Sequence, residues 1–348
     1  MALAFRLRTQ IAFCERLQMF GPKTELRLIA AALSAALIIA APLQSANAAT
    51  ETYPSTIKFL SDQLIGGKAL DGFTPGTPDY GFTLEALLQR KAGGQKLTDQ
   101  LTAVKATLAD TTVLAKSVVY SYAYNAQKQI KPGMAGKFLF TSAALGVPNA
   151  PLRNSLVADL KKAIATNGTI DSVAGNSFDY AWVVLGLAVN NQTKLANQVA
   201  IKLASLERPD GGFGMDQTGD TLKSSADATG IALQALAVAK KSATKTQLAV
   251  EQKALLAAAA YLRTTQVNGD HWEAWGDVDV NGTAYAAMGL KAAGANINAI
   301  QAWLKSKLAP SGGLTTPWSN GSGDVFATAQ GYVPLIGQSY LNLIPVKK

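Results

Sequence analysis

A segment that repeats along the chain about every fifty residues constrains the fold most strongly. Each copy is apolar almost all round and carries alanine or glycine at close spacing, and four of the copies begin with Asp or Asn. Asp and Asn are typical helix N-caps, and a helix without a polar face must be surrounded by protein. The repeat therefore predicts a set of buried helices. The copies begin at Asp79, Gly136 (a weaker match), Asp179, Asp227, Asn281 and Phe326.

Helices with a polar stripe alternate with these buried segments. Residues 195–206, 250–262 and 297–308 have the apolar spacing of half-exposed helices. A glycine turn follows each of them, as at Gly211-Gly212 and Gly312-Gly313, where glycine supplies the positive φ of a tight reversal. We predict an all-α fold of about six outer and inner helix pairs. An open solenoid and a closed ring both fit, and inner helices that are apolar all round favour the ring.

The first 48 residues have the pattern of a secretory signal peptide. Basic residues precede the apolar run 28–43, and the small residues of Ala46-Asn47-Ala48 fit a cleavage site. The run is short for a membrane span, and the true start could be Met19. We therefore predict a signal peptide over 1–48, and a single secreted or cell-envelope domain over 49–348 with no transmembrane segment after cleavage.

Composition excludes several classes of site. The chain has one cysteine, Cys14, and one histidine, His271, so it can build neither a disulfide framework nor a Cys/His zinc cluster. Its net charge of +9 is spread along the sequence without a run of five like charges. That distribution is unlike a nucleic-acid-binding stripe, and we expect no nucleic-acid partner.

The glycine turns and the buried segments together resemble a known repeat. The sequence RPDGGFG at 208–214, followed by SADATGIALQAL at 225–236, is similar to the prenyltransferase and squalene-cyclase repeat, and weaker matches occur at 266–283 and 326–330. The resemblance implies an α/α toroid with inner and outer helix rings, as in terpenoid cyclases, protein prenyltransferases and cobalamin carriers. It says little about activity, because one fold supports many functions.

The chemistry of those families fits these residues poorly. Zinc prenyltransferases need a Cys ligand, which residues 49–348 lack. Squalene-type cyclases use a D-x-D-D acid, and Asp277-Val-Asp279-Val280 has valine where the last Asp is required. The same stretch matches the first half of a calcium loop, but Met288 occupies the position of its final glutamate. Asp277 and Asp279 are therefore weak catalytic candidates beside a capping role, and we expect no metal and no cofactor.

The densest polar and aromatic cluster lies at 270–275, with the sequence DHWEAW. His271 there could act as an acid or base at a sugar-facing rim, as in glycan-active toroids. The alternative is a loop whose Trp272 packs under the glycine turn.

Aromatic and amide side chains on the inner helices are candidates for a central ligand pocket. They could equally fill the axis of the ring. With Trp272, the candidate ligand-binding set is Tyr80, Tyr180, Trp182, Trp272, Tyr285, Gln330 and Tyr332.

From the sequence we expect a non-catalytic binding or scaffold protein that holds an apolar or isoprenoid-like ligand. Two alternatives stay open. One is a terpene cyclase-like or glycan-active enzyme that uses Asp277, Asp279 and the His271 region. The other is an interaction module for a partner in the cell envelope.

Overall fold

The computed structural model describes residues 52–64, 69–72, 74–95, 122–146, 150–173, 175–215 and 223–345. All of them belong to the second of two compact units of the chain, 46–348. The predicted signal peptide lies outside the described residues and stays a prediction.

Helices dominate the described residues, and the four strands are only two residues long each. The α-helices are α1 Pro54–Asp62, α2 Tyr80–Ala92, α3 Pro132–Ala144, α4 Ala150–Ala163, α5 Ser177–Val189, α6 Thr193–Ala204, α7 Ala226–Ala239, α8 Lys245–Thr264, α9 Val280–Ala292, α10 Asn298–Ser306 and α11 Val325–Leu335. The strands are β1 Leu70–Asp71, β2 Pro78–Asp79, β3 Glu273–Ala274 and β4 Asp277–Val278, which form two antiparallel hairpins.

Six of these helices form a closed inner ring. Helices α2, α3, α5, α7, α9 and α11 pack in that order, and α11 packs against α2 to complete the circle. Helices α1, α4, α6, α8 and α10 pack outside them and carry more exposed residues. This arrangement confirms the all-α fold and the α/α toroid, and it settles the choice between solenoid and ring. No described helix combines the length and the apolar composition that a bilayer span requires.

A threonine near the start of an inner helix ties four of the five clear repeats to the segment before it, the exception being the repeat that begins at Asp179. The hydroxyls of Thr83, Thr229, Thr283 and Thr328 accept backbone N–H groups at 2.8–3.0 Å. The donors are four buried residues in the preceding loops, namely Leu70, Phe213, Trp272 and Leu314. The apolar residue after the glycine turn thus fills the core while its backbone is held by the next helix. This recurring contact explains the spacing of the sequence repeat.

A short 3₁₀ helix, Tyr340–Leu343, closes the ring axis near the carboxyl ends of the inner helices. The Tyr340 ring is fully buried and lies 5.8 Å from Trp182 and 6.3 Å from Tyr285. Its hydroxyl accepts a hydrogen bond from Gln89, and its backbone N–H donates to Gln234. The axis is therefore filled at one end and open at the other.

Glu251 on outer helix α8 is a buried carboxyl whose two oxygens have no hydrogen-bond partner in the described part of the chain. Burial raises its pKa from 4.5 to about 7. The folded protein therefore holds this proton more tightly than the unfolded chain does. Ionisation of this carboxyl does not affect the free energy of unfolding below about pH 4.5. It lowers that free energy increasingly as the pH rises to about 7.

We expect Glu251→Gln to become more stable relative to the parent protein as the pH rises. Between pH 4.5 and pH 8 the difference in unfolding free energy should grow by about 2 kcal/mol. This is less than the whole pKa shift would give at about 1.36 kcal/mol per pKa unit, because α8 can open locally to water. Urea unfolding at both pH values measures it. Asp171→Asn, which changes an exposed carboxyl, is the control. A difference in unfolding free energy that does not change with pH would contradict the raised pKa of Glu251.

Candidate functional site

A cavity of about 510 Å³ opens at the end of the ring where all six inner helices begin. Its lining comes from the first two turns of these helices and from the segments just before them. The charged residues in the lining are Asp79, Glu85, Lys131, Lys137 and Asp227. We call this opening the mouth cavity.

A buried ion pair forms the base of the mouth cavity. Lys137 Nζ of α3 contacts Glu85 Oε1 of α2, and both side chains are almost fully buried. The Tyr285 hydroxyl of α9 donates to the same Glu85 oxygen at 2.8 Å. Lys137 also lies over the Trp182 ring, 5.4 Å from its centre. The second oxygen of Glu85 has no partner among the described residues, so it is an acceptor available to a ligand.

Two further carboxylates lie beside this pair. Asp79 is the N-cap of α2 and accepts the Phe82 N–H at 2.9 Å. Asp179 of α5 lies against Gly133 of α3, where an added Cβ would collide with the carboxylate. Burial raises the pKa of Asp179, and the Lys137 charge partly opposes that rise. Asp179 therefore keeps its proton to higher pH than a free aspartate, and it is not among the residues that line the mouth cavity.

Tyr122 lies among the same acidic groups. Its side chain is buried, and its hydroxyl has no partner in the described part of the chain. Burial, followed by the charges of Glu85, Asp79 and Asp179, raises its pKa well above 10.0. The phenol stays protonated and can donate a hydrogen bond to a ligand in the cavity.

The opposite wall combines polar and apolar groups. Asp227 of α7 lines the cavity, and Asn281 of α9 donates to Gln330 of α11 at 2.6 Å. Phe178 packs edge-on against Tyr285 with ring centres 5.3 Å apart. Three other apolar side chains in the lining are Phe82, Met134 and Met215. Such a mixture of flat apolar faces and a few polar groups is typical of small-molecule sites.

The residue at which each inner helix begins explains why the sequence did not predict the polar lining of the mouth cavity. The copies that begin at Asp179, Asp227 and Asn281 suggest N-caps, but the caps of α5 and α9 are Asn176 and Asp279, and that of α7 is Ser225. The expected capping residues lie two or three positions after the observed caps, inside the first turn. Two of them, Asp227 and Asn281, line the mouth cavity as a result.

The predicted ligand-binding residues separate into two groups. Tyr80, Tyr285 and Gln330 line the mouth cavity. The others do not line it and are buried in the ring or under a turn: Tyr180, Trp182, Trp272 and Tyr332. Trp272 is held by Thr283 and Thr265, in the position that the alternative interpretation of the loop predicts.

The predicted catalytic residues occupy the loop between α8 and α9, outside the lining of the mouth cavity. His271 is buried, binds Asp270 at 2.6 Å and stacks on Trp303 with ring centres 4.8 Å apart. Asp279 caps α9 by accepting the Gly282 N–H at 2.8 Å, and burial raises its pKa. Asp277 lies in β4 and accepts its neighbour's backbone N–H. In the described residues, no three His, Cys, Asp or Glu side chains are arranged to hold a metal ion.

The sequence matches no family model and no curated protein. Solved structures of unsaturated glucuronyl hydrolases are similar in fold. The enzyme from Streptococcus agalactiae is 11% identical with a TM-score of 0.53, over 82% of this chain and 88% of that one. The enzyme from Bacillus sp. GL1 is 12% identical with a TM-score of 0.50, over 74% of this chain and 84% of that one. At this identity the likeness supports the toroid fold alone.

Proposed function

We propose that this protein is a glycan-active enzyme that binds a saccharide in the mouth cavity and cleaves a glycosidic bond there. The observation that carries the proposal is a cavity of ligand size that is lined by Asp79, Glu85, Lys137 and Asp227, with Asp179, a carboxyl of raised pKa, near Lys137 but outside the lining. Glycoside hydrolysis needs one carboxyl that donates a proton and one that activates water.

Asp179 is the proposed acid, and because it lies outside the lining it would protonate the oxygen of the departing sugar through one bound water. Asp227 is the proposed base, because it lines the cavity on a different inner helix and faces the space that a ligand would fill. It would remove a proton from the attacking water as the C–O bond breaks. The Glu85 oxygen without a partner and the Tyr122 hydroxyl would bind sugar hydroxyls, one as acceptor and the other as donor.

The structural comparisons favour a glycan over an isoprenoid. The solved neighbours are glucuronyl hydrolases, and the Bacillus sp. GL1 enzyme is described as responsible for the degradation of glycosaminoglycan. This supports the glycan-active alternative better than the non-catalytic role that the sequence favours. A role for His271 and Asp277 at the rim, and secretion through the predicted signal peptide, remain parts of the proposal.

A second candidate function is the storage of an apolar ligand, as the prenyltransferase and squalene-cyclase resemblance implies. The observation in its favour is the set of apolar side chains in the cavity, Phe82, Met134, Phe178 and Met215. The carboxylates and the buried lysine at the base are unfavourable for a purely apolar ligand, because they would lose solvation without gaining partners. We therefore rank it second.

A cleavage screen tests the proposal. The full chain is incubated with unsaturated glucuronyl disaccharides, neutral β-glucan oligosaccharides and amino-sugar oligosaccharides, and products are identified by mass spectrometry. Hydrolysis adds the elements of water to the products, whereas elimination does not. We expect hydrolysis of at least one class. An unreactive panel, together with a lipid that co-purifies in native mass spectrometry, would favour the storage protein instead.

A further inference from the structure

Two tryptophans are exposed on loops that lead into neighbouring inner helices. Trp275 is 100% exposed and Trp318 is 80% exposed. Trp275 lies in the β3–β4 hairpin before α9, and Trp318 lies in the loop before α11. Since α9 and α11 pack against each other and begin at the mouth cavity, both side chains stand at that end of the ring.

The conformation of Trp275 is unfavourable for its residue type. Trp275 has φ +53° and the following Gly276 has φ +85°, which are the signs of a two-residue type I′ turn. Asn-Gly is the preferred pair for such a turn, and a bulky side chain with positive φ is strained. Among the described residues, none packs on the fully exposed Trp275 side chain to offset this strain. A strained, exposed residue at a loop tip points to a function other than folding.

The loop that carries Trp318 is held firmly at its base. Leu314 pairs with Asp324 across the loop, and Phe59 of α1 packs so closely on Gly313 and Gly323 that neither could carry a Cβ without a clash. The β3–β4 hairpin is similarly fixed by its backbone pairing. Both tryptophans are thus presented on ordered supports, which lowers the entropy lost when a ligand binds.

We propose that Trp275 and Trp318 are outer binding positions for the pyranose rings of a saccharide chain that extends from the mouth cavity. The inference rests on the proposed function and goes beyond it, because it assigns the enzyme a long-chain substrate. A cavity of about 510 Å³ has room for a short saccharide only, so a longer chain would pass over its rim. Tryptophan offers a flat, rigid apolar face at low cost in conformational entropy.

The surroundings favour a saccharide over a membrane. Each tryptophan is followed by polar residues and glycine, Gly276-Asp277 in one loop and Ser319-Asn320-Gly321 in the other, and the residues before them are the small Ala274 and Pro317. A membrane-binding segment instead presents a continuous apolar face with basic residues beside it.

The test is affinity electrophoresis of the full chain in gels that contain hydroxyethylcellulose, glycol chitosan or hyaluronan. We expect at least one polymer to retard the parent protein, and Trp275→Asn and Trp318→Ser each to weaken that retardation about tenfold. Cleavage of the short substrate found in the screen should be unchanged. Trp275→Asn should unfold at the same temperature or a higher one, because asparagine suits the turn. Val250→Ser, which changes an exposed apolar residue on outer helix α8, is the matched control.

The outcomes separate this inference from the proposed function. If a polymer retards the parent protein and both tryptophan variants equally, the outer binding positions are wrong, and the proposed function is unaffected. Retardation that the variants lose, in a protein that cleaves no saccharide, supports the outer positions and contradicts the enzyme. A parent protein that no polymer retards overturns the outer positions, and so does one that sediments with anionic vesicles through these tryptophans.

Discussion

Replacement of Asp179 with asparagine is expected to lower kcat on the saccharide found in the screen by a factor of about 10²–10⁴, the usual contribution of a general acid. The amide has nearly the same shape as the carboxyl but cannot deliver a proton to the departing sugar oxygen. Asp179 lies against Gly133 and interacts with the Lys137 charge, and the isosteric change should leave this packing intact. Substrate affinity should change far less than kcat, because the loss concerns the transition state.

The pH profile provides a second readout of the same group. Burial raises the pKa of Asp179, so its acidic form persists above the range of a free aspartate. Activity should fall on the alkaline side as this proton is lost, and that limb should be absent from the residual activity of Asp179→Asn. Asp171→Asn changes an exposed carboxyl just before the same helix and should leave both kcat and the profile unchanged. An Asp179→Asn variant with full activity would assign the acid to another group.

The architecture could be predicted from the sequence because it depends on local sequence patterns. Apolar segments spaced by glycine turns required inner helices, and the lack of a polar face required that they be enclosed. Ring closure followed from the same argument. The glycine turns, with the buried Phe213 and Trp272 behind them, also lie where the repeat places them.

The candidate site was harder to predict, since it depends on helix register and on pairs that are distant in sequence. A shift of two residues in the start of α7 turns Asp227 from a cap into a cavity residue. Glu85 and Lys137 are 52 residues apart and meet only when α2 and α3 pack together. The sequence did hold a signal, because Lys137 is the one charged residue of α3 and Glu85 is the one acidic residue of α2. The DHWEAW cluster is the stronger pattern in the sequence because its polar residues are adjacent.

Gly230→Ala is expected to destabilise the protein by about 3 kcal/mol or more, the upper range for overpacking a well-filled core. Gly230 of α7 faces the backbone of Tyr285 of α9, and a Cβ there would collide with the Tyr285 carbonyl. Gly289 of α9 meets the Gly230 carbonyl in the same way. In an open helix the change from glycine to alanine would instead stabilise by about 0.5–1 kcal/mol. The sign of the effect therefore reports whether the two helices are in backbone contact.

Gly331→Ala on inner helix α11 is the matched control for this prediction. A Cβ there would meet the end of the Leu314 side chain, which can rotate away, so the cost should stay below about 1 kcal/mol. Urea unfolding of both variants measures the difference, and equal losses would contradict the close contact of α7 with α9. Because the backbone that must move belongs to Tyr285, whose hydroxyl binds Glu85, Gly230→Ala should also lower kcat in the fraction that remains folded. The same glycine contact thus holds the ring together and positions the base of the cavity.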